Sequence, residues 1–306
     1  MAAVLAATEG SIDSAVVNDS QTRDEVKVHS EGAAVVRMQI LLDRAHFSPG
    51  EIDSRYGDNL RVALLGYQHA RQLPETGEGD GATWDALNAD TSQVLVSYAI
   101  TPDETTGPFE QIPRDMMEQA KLKSLGYTSP AEELGERFHI SPELLERLNP
   151  GKDLTKSGEQ ILVPNVQRES IVPATQVVVS KSRRTVSAIA GDGTLLAQYP
   201  ATIGSEHDPL AIGQWRIVGV QQNPKFNYNP DLFWDASPEH SKAQIQEGPN
   251  NPVGVVWIGL SKDHYGIHGS PEPSKIGHTS SHGCIRLTNW DAEELSRMVS
   301  PAYLRF

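Results

Sequence analysis

The sequence predicts a multidomain α+β protein in which a small three-helix bundle and a βααβ module precede a mainly-β, sandwich-like or barrel-like domain. Apolar residues recur at intervals of three and four through residues 33–88, which is the helical period. In residues 94–166 two β-prone runs enclose two short helical segments. After residue 174 short β-prone runs follow one another at regular spacing, as they do in sandwiches and barrels.

The front of the chain divides into a tail and a helical domain. Residues 1–30 are rich in alanine, serine, threonine and acidic residues without a sustained period, so we expect a flexible tail. Residues 31–92 carry the helical period, interrupted by turn residues at 47–54. Thr83 is the expected N-cap of a short third helix. We therefore predict a helical domain at residues 31–92.

The next module, residues 93–166, has the order strand, helix, helix, strand. Ser129 and Ser141 each precede a proline, and both are expected to cap a helix at its start, with Glu132 completing a capping box. A segment from about Pro102 to Lys123 follows the first strand and has no place in this simple order. We call it the insertion.

Both front modules resemble domains of known families. The helical domain is similar to the peptidoglycan-binding domain found beside many wall enzymes, and it departs from that pattern at Ser54 and Asn59, where that family more often has glycine and threonine. The βααβ module resembles a LysM domain around Leu148-Asn149-Pro150, which implies binding to glycan containing N-acetylglucosamine. The residues that carry the first resemblance are Phe47, Pro49, Gly50, Ile52, Asp53, Tyr56, Gly57, Tyr67, Gln68, Thr83 and Trp84. A helical spacer and a positioning scaffold without ligands are the alternatives.

The C-terminal domain, residues 174–306, is predicted from its short β-prone runs. Gly191-Asp192-Gly193 is a strong signal for a hairpin turn. Near the end, Thr288 or Asn289 is expected to cap a helix whose first turn is acidic. Residues 221–251 form a long polar stretch with four aromatic residues. Such a loop is either a substrate lid or a surface excursion with satellite packing, and we call it the lid loop.

Composition and charge limit the possible partners. No apolar run approaches the length of a membrane span. The formal charge is −13 in residues 1–173 and −1 in residues 174–306, which argues against binding to nucleic acid or to an anionic membrane surface. Residues 1–7 are apolar but lack a basic region, so we expect that no complete signal sequence is present in this chain.

The only cysteine, Cys284, lies among four of the ten histidines within about twenty residues. A thiolate is the nucleophilic form of cysteine, and a neighbouring imidazole both lowers the thiol pKa and exchanges protons with the reactants. Gly269 and Gly283 allow backbone to approach a substrate, and consecutive N–H groups beside Cys284 can face an oxyanion. Arg286 lies two residues beyond the thiol and offers a fork for a carboxylate.

Three other interpretations of this cluster stay open. A single cysteine is often a small buried hydrophobic residue. The pairs His264/His268 and His278/His282 have the i, i+4 spacing of zinc ligands on a helix. Glycine and proline residues in and beside these pairs disfavour a helix, so we predict no metal site. A papain-type protease has its histidine far downstream of the cysteine, whereas His268 precedes Cys284 by sixteen positions.

The run from His268 to Ser270, then Gly277, then Ser281 to Leu287 resembles the signature of the L,D-transpeptidases, whose YkuD-type catalytic domain acts in bacterial peptidoglycan synthesis. The resemblance covers about the last 130 residues. It implies that Cys284 is the nucleophile, that His268 is the base, and that Gly269 and Ser270 hold the imidazole. The backbone of His282, Gly283 and Cys284 would line the oxyanion site. Supporting roles would fall to Tyr265, which frames the pocket, to Ser281, and to Arg286, which orders the loop or binds a stem carboxylate.

The same resemblance implies the reaction and its surroundings. Cys284 would attack the carbonyl between the third stem residue and the D-alanine at position four, release D-alanine and form a thioester that an acceptor amine resolves. No cofactor is implied, and carbapenems would acylate the thiol. The partners would be peptidoglycan and, as another acceptor, an envelope protein, and the location would be the bacterial envelope, periplasmic or extracytoplasmic. An L,D-carboxypeptidase, in which water resolves the thioester, and a non-catalytic peptidoglycan-binding protein are the alternatives.

Overall fold

The structure is a computed structural model that describes residues 12–168 and 172–300. Residues 1–11 of the expected tail and 169–171 of the linker lie outside the described residues. None of the helices in the described ranges is long and apolar enough to cross a membrane. The elements of the front half are α1 (Ser14–Val17), α2 (Ala33–Arg44), α3 (Asp58–Ala70), α4 (Gly81–Leu87), β1 (Leu95–Ala99), α5 (Asp103–Thr106), α6 (Met116–Gln119), α7 (Pro130–Arg137), α8 (Pro142–Leu148) and β2 (Gln160–Pro164).

The expected flexible tail is wrong for residues 12–30. Val17 and Val26 are buried in the core of the helical domain. The indole Nε1 of Trp84 also donates a hydrogen bond to the backbone oxygen of Asp24 (2.7 Å). This segment lacks a helical or strand period because scattered residues, and not one continuous face, pack against the domain.

The three predicted helices of the helical domain are confirmed as α2, α3 and α4. The N-cap of α4 is Asp80, not Thr83, because the Asp80 carboxylate accepts a hydrogen bond from the Thr83 N–H (2.8 Å). Thr83 is instead buried in the third helical position, where its hydroxyl accepts from Gln68 (2.9 Å).

The βααβ order is present in residues 95–164, with β1 and β2 antiparallel and α7 and α8 between them. Ser129 and Ser141 cap these two helices, as predicted. Glu132 departs from the expected capping box, because its carboxylate accepts from the Thr128 N–H (2.6 Å) and not from Ser129. The insertion contains both α5 and α6.

The C-terminal domain places two sheets and one helix around a single core, and the mainly-β prediction is confirmed. A three-stranded sheet has the order β3-β4-β5, and a five-stranded sheet has the order β6-β12-β11-β10-β7. Its elements are β3 (Gln176–Ser180), β4 (Thr185–Ile189), β5 (Leu195–Pro200), β6 (Thr202–Ile203), β7 (Ile217–Gln222), β8 (Phe226–Tyr228), β9 (Ala243–Ile245), β10 (Val256–Leu260), β11 (Gly266–His268), β12 (Ile285–Arg286) and α9 (Asn289–Met298). The Gly191–Gly193 turn joins β4 to β5, and Thr288 caps α9.

The helical domain packs directly on the C-terminal domain. Gln198 in β5 donates a hydrogen bond to the Val62 carbonyl in α3 (2.8 Å) and lies against Gly66, where a Cβ would come within 2.5 Å of it. Asn59 at the start of α3 donates to the Ile276 carbonyl (2.9 Å). Asn59, one of the two residues at which the helical domain departs from its family pattern, therefore contacts the C-terminal domain.

A cluster of buried charged residues lies where all three parts meet, and we call it the junction cluster. Arg168 pairs with Asp43 of α2 (2.5 Å) and with Glu294 of α9, and lies 3.8 Å from Asp291. His139 of the βααβ module donates from Nδ1 to Asp43 (3.0 Å). The remaining members are His46, bonded to Glu294, and Ser48, bonded to Asp291.

The lid loop packs against the insertion of the βααβ module. Leu125, Tyr228 and Ile245 are fully buried together, and we call this group, with the partly buried residues on it, the satellite core. The partly buried residues are Ile112, Met116, Met117, Ala120, Leu122, Phe226 and Phe233. The long stretch between β7 and β10 therefore packs as a surface excursion with a satellite core, as one of the two interpretations predicts, and it shares that core with another module.

Candidate active site

The predicted nucleophile and base are carried by two neighbouring strands. β11 and β12 run parallel, with Ile267 opposite Ile285 and His268 opposite Arg286. The Leu287 N–H donates to the His268 carbonyl (2.9 Å). This pairing places His268, the last residue of β11, and Cys284, the residue just before β12, on adjacent strands of the five-stranded sheet, although sixteen residues of chain separate them.

The Cys284 thiol is held by backbone groups at the start of β11 and in the turn just before it. Its Sγ donates to the His264 carbonyl (3.5 Å) and accepts a hydrogen bond from the Gly266 N–H. Burial raises the pKa of the Cys284 thiol, and the Gly266 hydrogen bond and the Arg286 charge lower it by less. Desolvation therefore dominates the pKa of the thiol, which is neutral at neutral pH, and the expected lowering by a neighbouring imidazole is not among the causes.

The His268 imidazole is buried and fixed in one orientation. Nδ1 lies 2.7 Å from the Gly269 carbonyl, and the ring stacks on Trp257 with 5.4 Å between centroids. A carbonyl can only accept, so Nδ1 carries the proton and Nε2 keeps its lone pair. Burial, together with the Arg286 charge, lowers the pKa of His268 to about 3. The imidazole is neutral at physiological pH.

The segment on either side of the thiol is shaped by close backbone contacts. Gly283 has φ +96°, and a Cβ there would lie 3.2 Å from the Tyr265 hydroxyl. Tyr265 thus packs over the turn that carries the thiol. Ser281 is buried, and its hydroxyl donates to the Cys284 carbonyl (2.5 Å).

His282 faces the lid loop and not the thiol pocket. Its Nε2 lies 3.0 Å from the Asp235 carboxylate, and its ring makes an edge contact with Phe233 at 5.1 Å. The Nδ1 atom is buried without a partner among the described residues. Neither Asp235 nor Phe233 could be found from sequence, because no local signal links residue 282 to a loop almost fifty residues earlier.

Arg286 and Ser270 line a cavity of about 200 Å³ next to the reactive strands. The Nε of Arg286 is buried and has no hydrogen-bond partner among the described residues. Burial lowers the pKa of its guanidinium, which still leaves the group charged. The other residues around the cavity are Thr202, Glu272, Lys275, Ile276, Thr279 and Ser280.

The remaining histidines of the cluster, His264 and His278, are not among the residues that line this cavity. His264 contributes its backbone carbonyl to the thiol and has φ +65°. His278 lies in the loop between Ile276 and Thr279, which do line the cavity, and its backbone N–H donates to the Lys275 carbonyl. Within the residues that the structure describes, no group of three or more His, Cys, Asp or Glu side chains is arranged to hold a metal ion.

Comparison with known proteins assigns the two ends of the chain. The family profile of the YkuD L,D-transpeptidase catalytic domain matches residues 174–303, and that of a peptidoglycan-binding domain matches residues 31–87. A Bacillus licheniformis protein named as the L,D-transpeptidase YkuD is 30% identical over 170 residues, which are 55% of this chain and 87% of the relative. The chain belongs to the L,D-transpeptidase family.

Two further relatives have the same type of name. The Bacillus subtilis protein named as L,D-transpeptidase YkuD is 28% identical over 163 residues, 53% of this chain and 83% of the relative. The Escherichia coli protein named as L,D-transpeptidase YbiS is 25% identical over 219 residues, 67% of this chain and 69% of the relative. This L,D-transpeptidase is a cysteine-dependent acyltransferase that crosslinks peptidoglycan, and it acts in the cell envelope.

Proposed function

We propose that Cys284 is the nucleophile of this L,D-transpeptidase and that His268 is its general base. The observation that supports this assignment best is the parallel pairing of β11 and β12 together with the fixed Nδ1–H tautomer of His268. The unprotonated Nε2 is then the basic atom. A rotation of the Cys284 side chain away from the His264 carbonyl would offer its proton to that atom, since hydrogen bonds in free enzymes are often rearranged on substrate binding.

The reaction starts from a neutral pair. As Sγ attacks the carbonyl between the third stem residue and the D-alanine at position four, its proton moves to Nε2 of His268. The resulting imidazolium returns the proton to the leaving amine, and D-alanine departs from the thioester. An acceptor amine then attacks the thioester and gives a proton to Nε2, which passes it to the Cys284 sulfur. Charge therefore develops during the attack, as the imidazolium and the tetrahedral oxyanion form, and the backbone N–H groups of His282, Gly283 and Cys284 stabilise that oxyanion.

Arg286 binds a carboxylate of the stem peptide in this proposal. Its buried Nε lacks a partner among the described residues and it lines the cavity beside the reactive strands. A buried donor without a partner costs free energy, and a bidentate carboxylate would satisfy the guanidinium. Tyr265 frames the pocket and limits the conformations of the Gly283 turn. Gly269, Ser270 and Ser281 keep the two reactive runs in place.

The front modules hold the enzyme on its polymer. We assign residues 31–92 and 93–166 to glycan binding and residues 174–306 to catalysis. The similarity of the helical domain to a peptidoglycan-binding domain and the βααβ order support this division. The enzyme would meet donor and acceptor stems in a periplasmic or other extracytoplasmic space, and an envelope protein amine is a possible second acceptor.

The decisive test is mass spectrometry of purified disaccharide-tetrapeptide incubated with the full chain. A dimer that has lost one D-alanine is the expected product. A tripeptide monomer without dimer would assign the protein as an L,D-carboxypeptidase instead, because water would then resolve the thioester. Unchanged substrate, with no acylation of the thiol by a carbapenem, would contradict the catalytic assignment.

Variants separate the roles of the two histidines. Cys284→Ser should abolish turnover, and surviving activity would refute the nucleophile. His268→Ala should lower the rate by about 10²–10⁴-fold, the usual contribution of a general base. His282→Ala should have a smaller effect, since its side chain faces the lid loop. The reverse order would make His282 the base.

A further inference from the structure

Asn289, the first residue of α9, is buried and connects three separate segments. Its Oδ1 accepts from the Val255 N–H (3.2 Å), just before β10. Its Nδ2 donates to the Pro249 carbonyl (3.1 Å) and to both carboxyl oxygens of Glu136 in α7 (3.0 Å each). The side-chain amide of Asn289 thus uses all of its hydrogen-bonding groups.

This amide also lies directly against the turn that carries the catalytic histidine. A Cβ on Gly269 would come within 2.2 Å of Asn289 Oδ1, and a Cβ on Gly254 within 2.1 Å. Gly254 has φ +61°, in the left-handed region that glycine favours. Both glycines are needed for this approach, so the position of the Asn289 amide and that of the Gly269 backbone depend on each other.

The Gly269 backbone in turn determines the state of His268. Its carbonyl accepts the Nδ1–H, and this hydrogen bond sets both the tautomer and the ring orientation. A shift of Gly269 would therefore move Nε2, and misplacement of a catalytic group by about 1 Å can cost about 10²-fold in rate.

We propose that Glu136 is a positioning residue for the reaction: the carboxyl group of the βααβ module holds Asn289, which holds Gly269, whose carbonyl orients His268. The βααβ module, which resembles a glycan-binding domain, then completes the active site of the C-terminal domain. This inference rests on the proposed role of His268 as the base.

The surroundings of Glu136 favour a positioning role over simple docking of two domains. Burial raises the pKa of Glu136, the hydrogen bond from Asn289 lowers it, and the neighbouring carboxylates of Glu132, Glu293 and Glu51 raise it, so that it lies at about 8. Among the described residues its hydrogen-bond partner is Asn289, and no cation pairs with it. A buried acid without a cation is an expensive contact between domains, and an apolar side chain would dock them at lower cost.

The test uses the full chain with Glu136→Leu, Glu136→Gln and the matched control Glu133→Leu. Glu133 lies in the same helix and has no side-chain hydrogen bond among the described residues. Glu136→Leu should lower kcat by about 10- to 100-fold, as expected for a misplaced catalytic group, and leave KM nearly unchanged. Glu136→Gln keeps a carbonyl acceptor for Asn289, so it should recover most of kcat.

A second measurement follows the His268 ring by ¹⁵N NMR in the same variants. In Glu136→Leu the ring nitrogen signals should move away from a single Nδ1–H tautomer, whereas Glu136→Gln and Glu133→Leu should keep the native pattern. Equal kcat in the two leucine variants would overturn the inference. So would a loss of kcat with unchanged His268 signals. Full turnover in His268→Ala would instead refute the proposed base, whatever the Glu136 variants do.

Discussion

Replacing Arg168 by methionine should strongly destabilise the protein, because this residue neutralises the junction cluster. Its guanidinium is 9% exposed and faces Asp43, Asp291 and Glu294, whose side chains are 0%, 0% and 7% exposed. Methionine keeps most of the side-chain volume but leaves these carboxylates together without their guanidinium. The perturbation therefore removes charge compensation and creates little empty space.

The size of the effect follows from this burial. Removing one partner of a buried ion pair costs about 3–5 kcal/mol, because the remaining charge is left uncompensated. For a chain of this size, each kcal/mol corresponds to about 2–4 °C, so the melting temperature should fall by about 6–20 °C. The matched control is Arg297→Met, since Arg297 pairs with Glu293 at the surface (3.1 Å; side chains 74% and 43% exposed). Such exposed pairs contribute at most about 1 kcal/mol.

The pH dependence provides a second signature. Although burial raises the pKa of Asp43, Arg168 and His139 lower it to about 2. The contribution of Asp43 in the wild type is therefore present above the unfolded pKa and is lost only as the pH falls toward 2. Burial raises the pKa of Asp291 to about 7. Without the guanidinium both pKa values rise, so the native variant binds more protons than its unfolded state and gains stability as the pH falls.

The assay is thermal unfolding followed by circular dichroism at pH 8 and pH 5. The deficit of Arg168→Met should be largest at pH 8 and smaller at pH 5, whereas Arg297→Met should stay close to the wild type at both. A loss no larger than that of Arg297→Met would refute the reasoning. A deficit that grows as the pH falls would refute the assigned direction of the carboxyl pKa changes.

Three further predictions concern the active site and its supports. The rate of Cys284 acylation by a carbapenem, measured by mass spectrometry, should be nearly constant from pH 5 to pH 8, because burial keeps the imidazole of His268 and the thiol neutral throughout. A tenfold rise in this rate per pH unit would indicate a free thiolate. Gly269→Ala should cost about 1–3 kcal/mol through overpacking and should slow acylation, while Gly219→Ala, with nothing within 4 Å of its Cβ, should do neither. Asn59→Thr loses the hydrogen bond to the Ile276 carbonyl, so it should lower the free energy of unfolding by about 1 kcal/mol and speed proteolysis between the domains. Unchanged thermal unfolding and proteolysis would contradict the role of Asn59 in docking the two domains.

Much of the fold could be predicted because its signals are local. The serine caps of α7 and α8, the Gly191–Gly193 turn and the Thr288 cap of α9 each depend on residues within one turn of chain. The strands of the C-terminal domain are likewise visible as β-prone runs. Local chemistry alone was sufficient for these elements.

Contacts between distant segments were not predictable in the same way. Residues 12–30 pack on the helical domain through isolated valines, and His282 bonds to Asp235 of the lid loop. Asn289 was recognised only as a possible cap, although its side chain supports the Gly269 turn. Nothing in the neighbouring sequence indicates such partners, because tertiary contacts decide them.

Departures from a family pattern were the best available signal for two other contacts between distant segments. Asn59 replaces the more common threonine and bonds to the Ile276 carbonyl of the C-terminal domain. Ser54 replaces the more common glycine while keeping φ +70°, and its hydroxyl accepts from Arg147 in the βααβ module (3.1 Å). Both unusual residues therefore face another part of the chain.

The satellite core makes it difficult to join the C-terminal domain of this enzyme to N-terminal modules from another protein. Phe226, Tyr228 and Phe233 of the lid loop pack on Leu125 and its neighbours in and beside the insertion. A C-terminal domain joined to an unrelated front half would present these side chains to water as an apolar patch next to the active site, and such a patch favours aggregation. An exchange of domains by recombination would therefore preserve a working enzyme only if the insertion and the lid loop were inherited together. The two segments form one unit of selection that spans two domains.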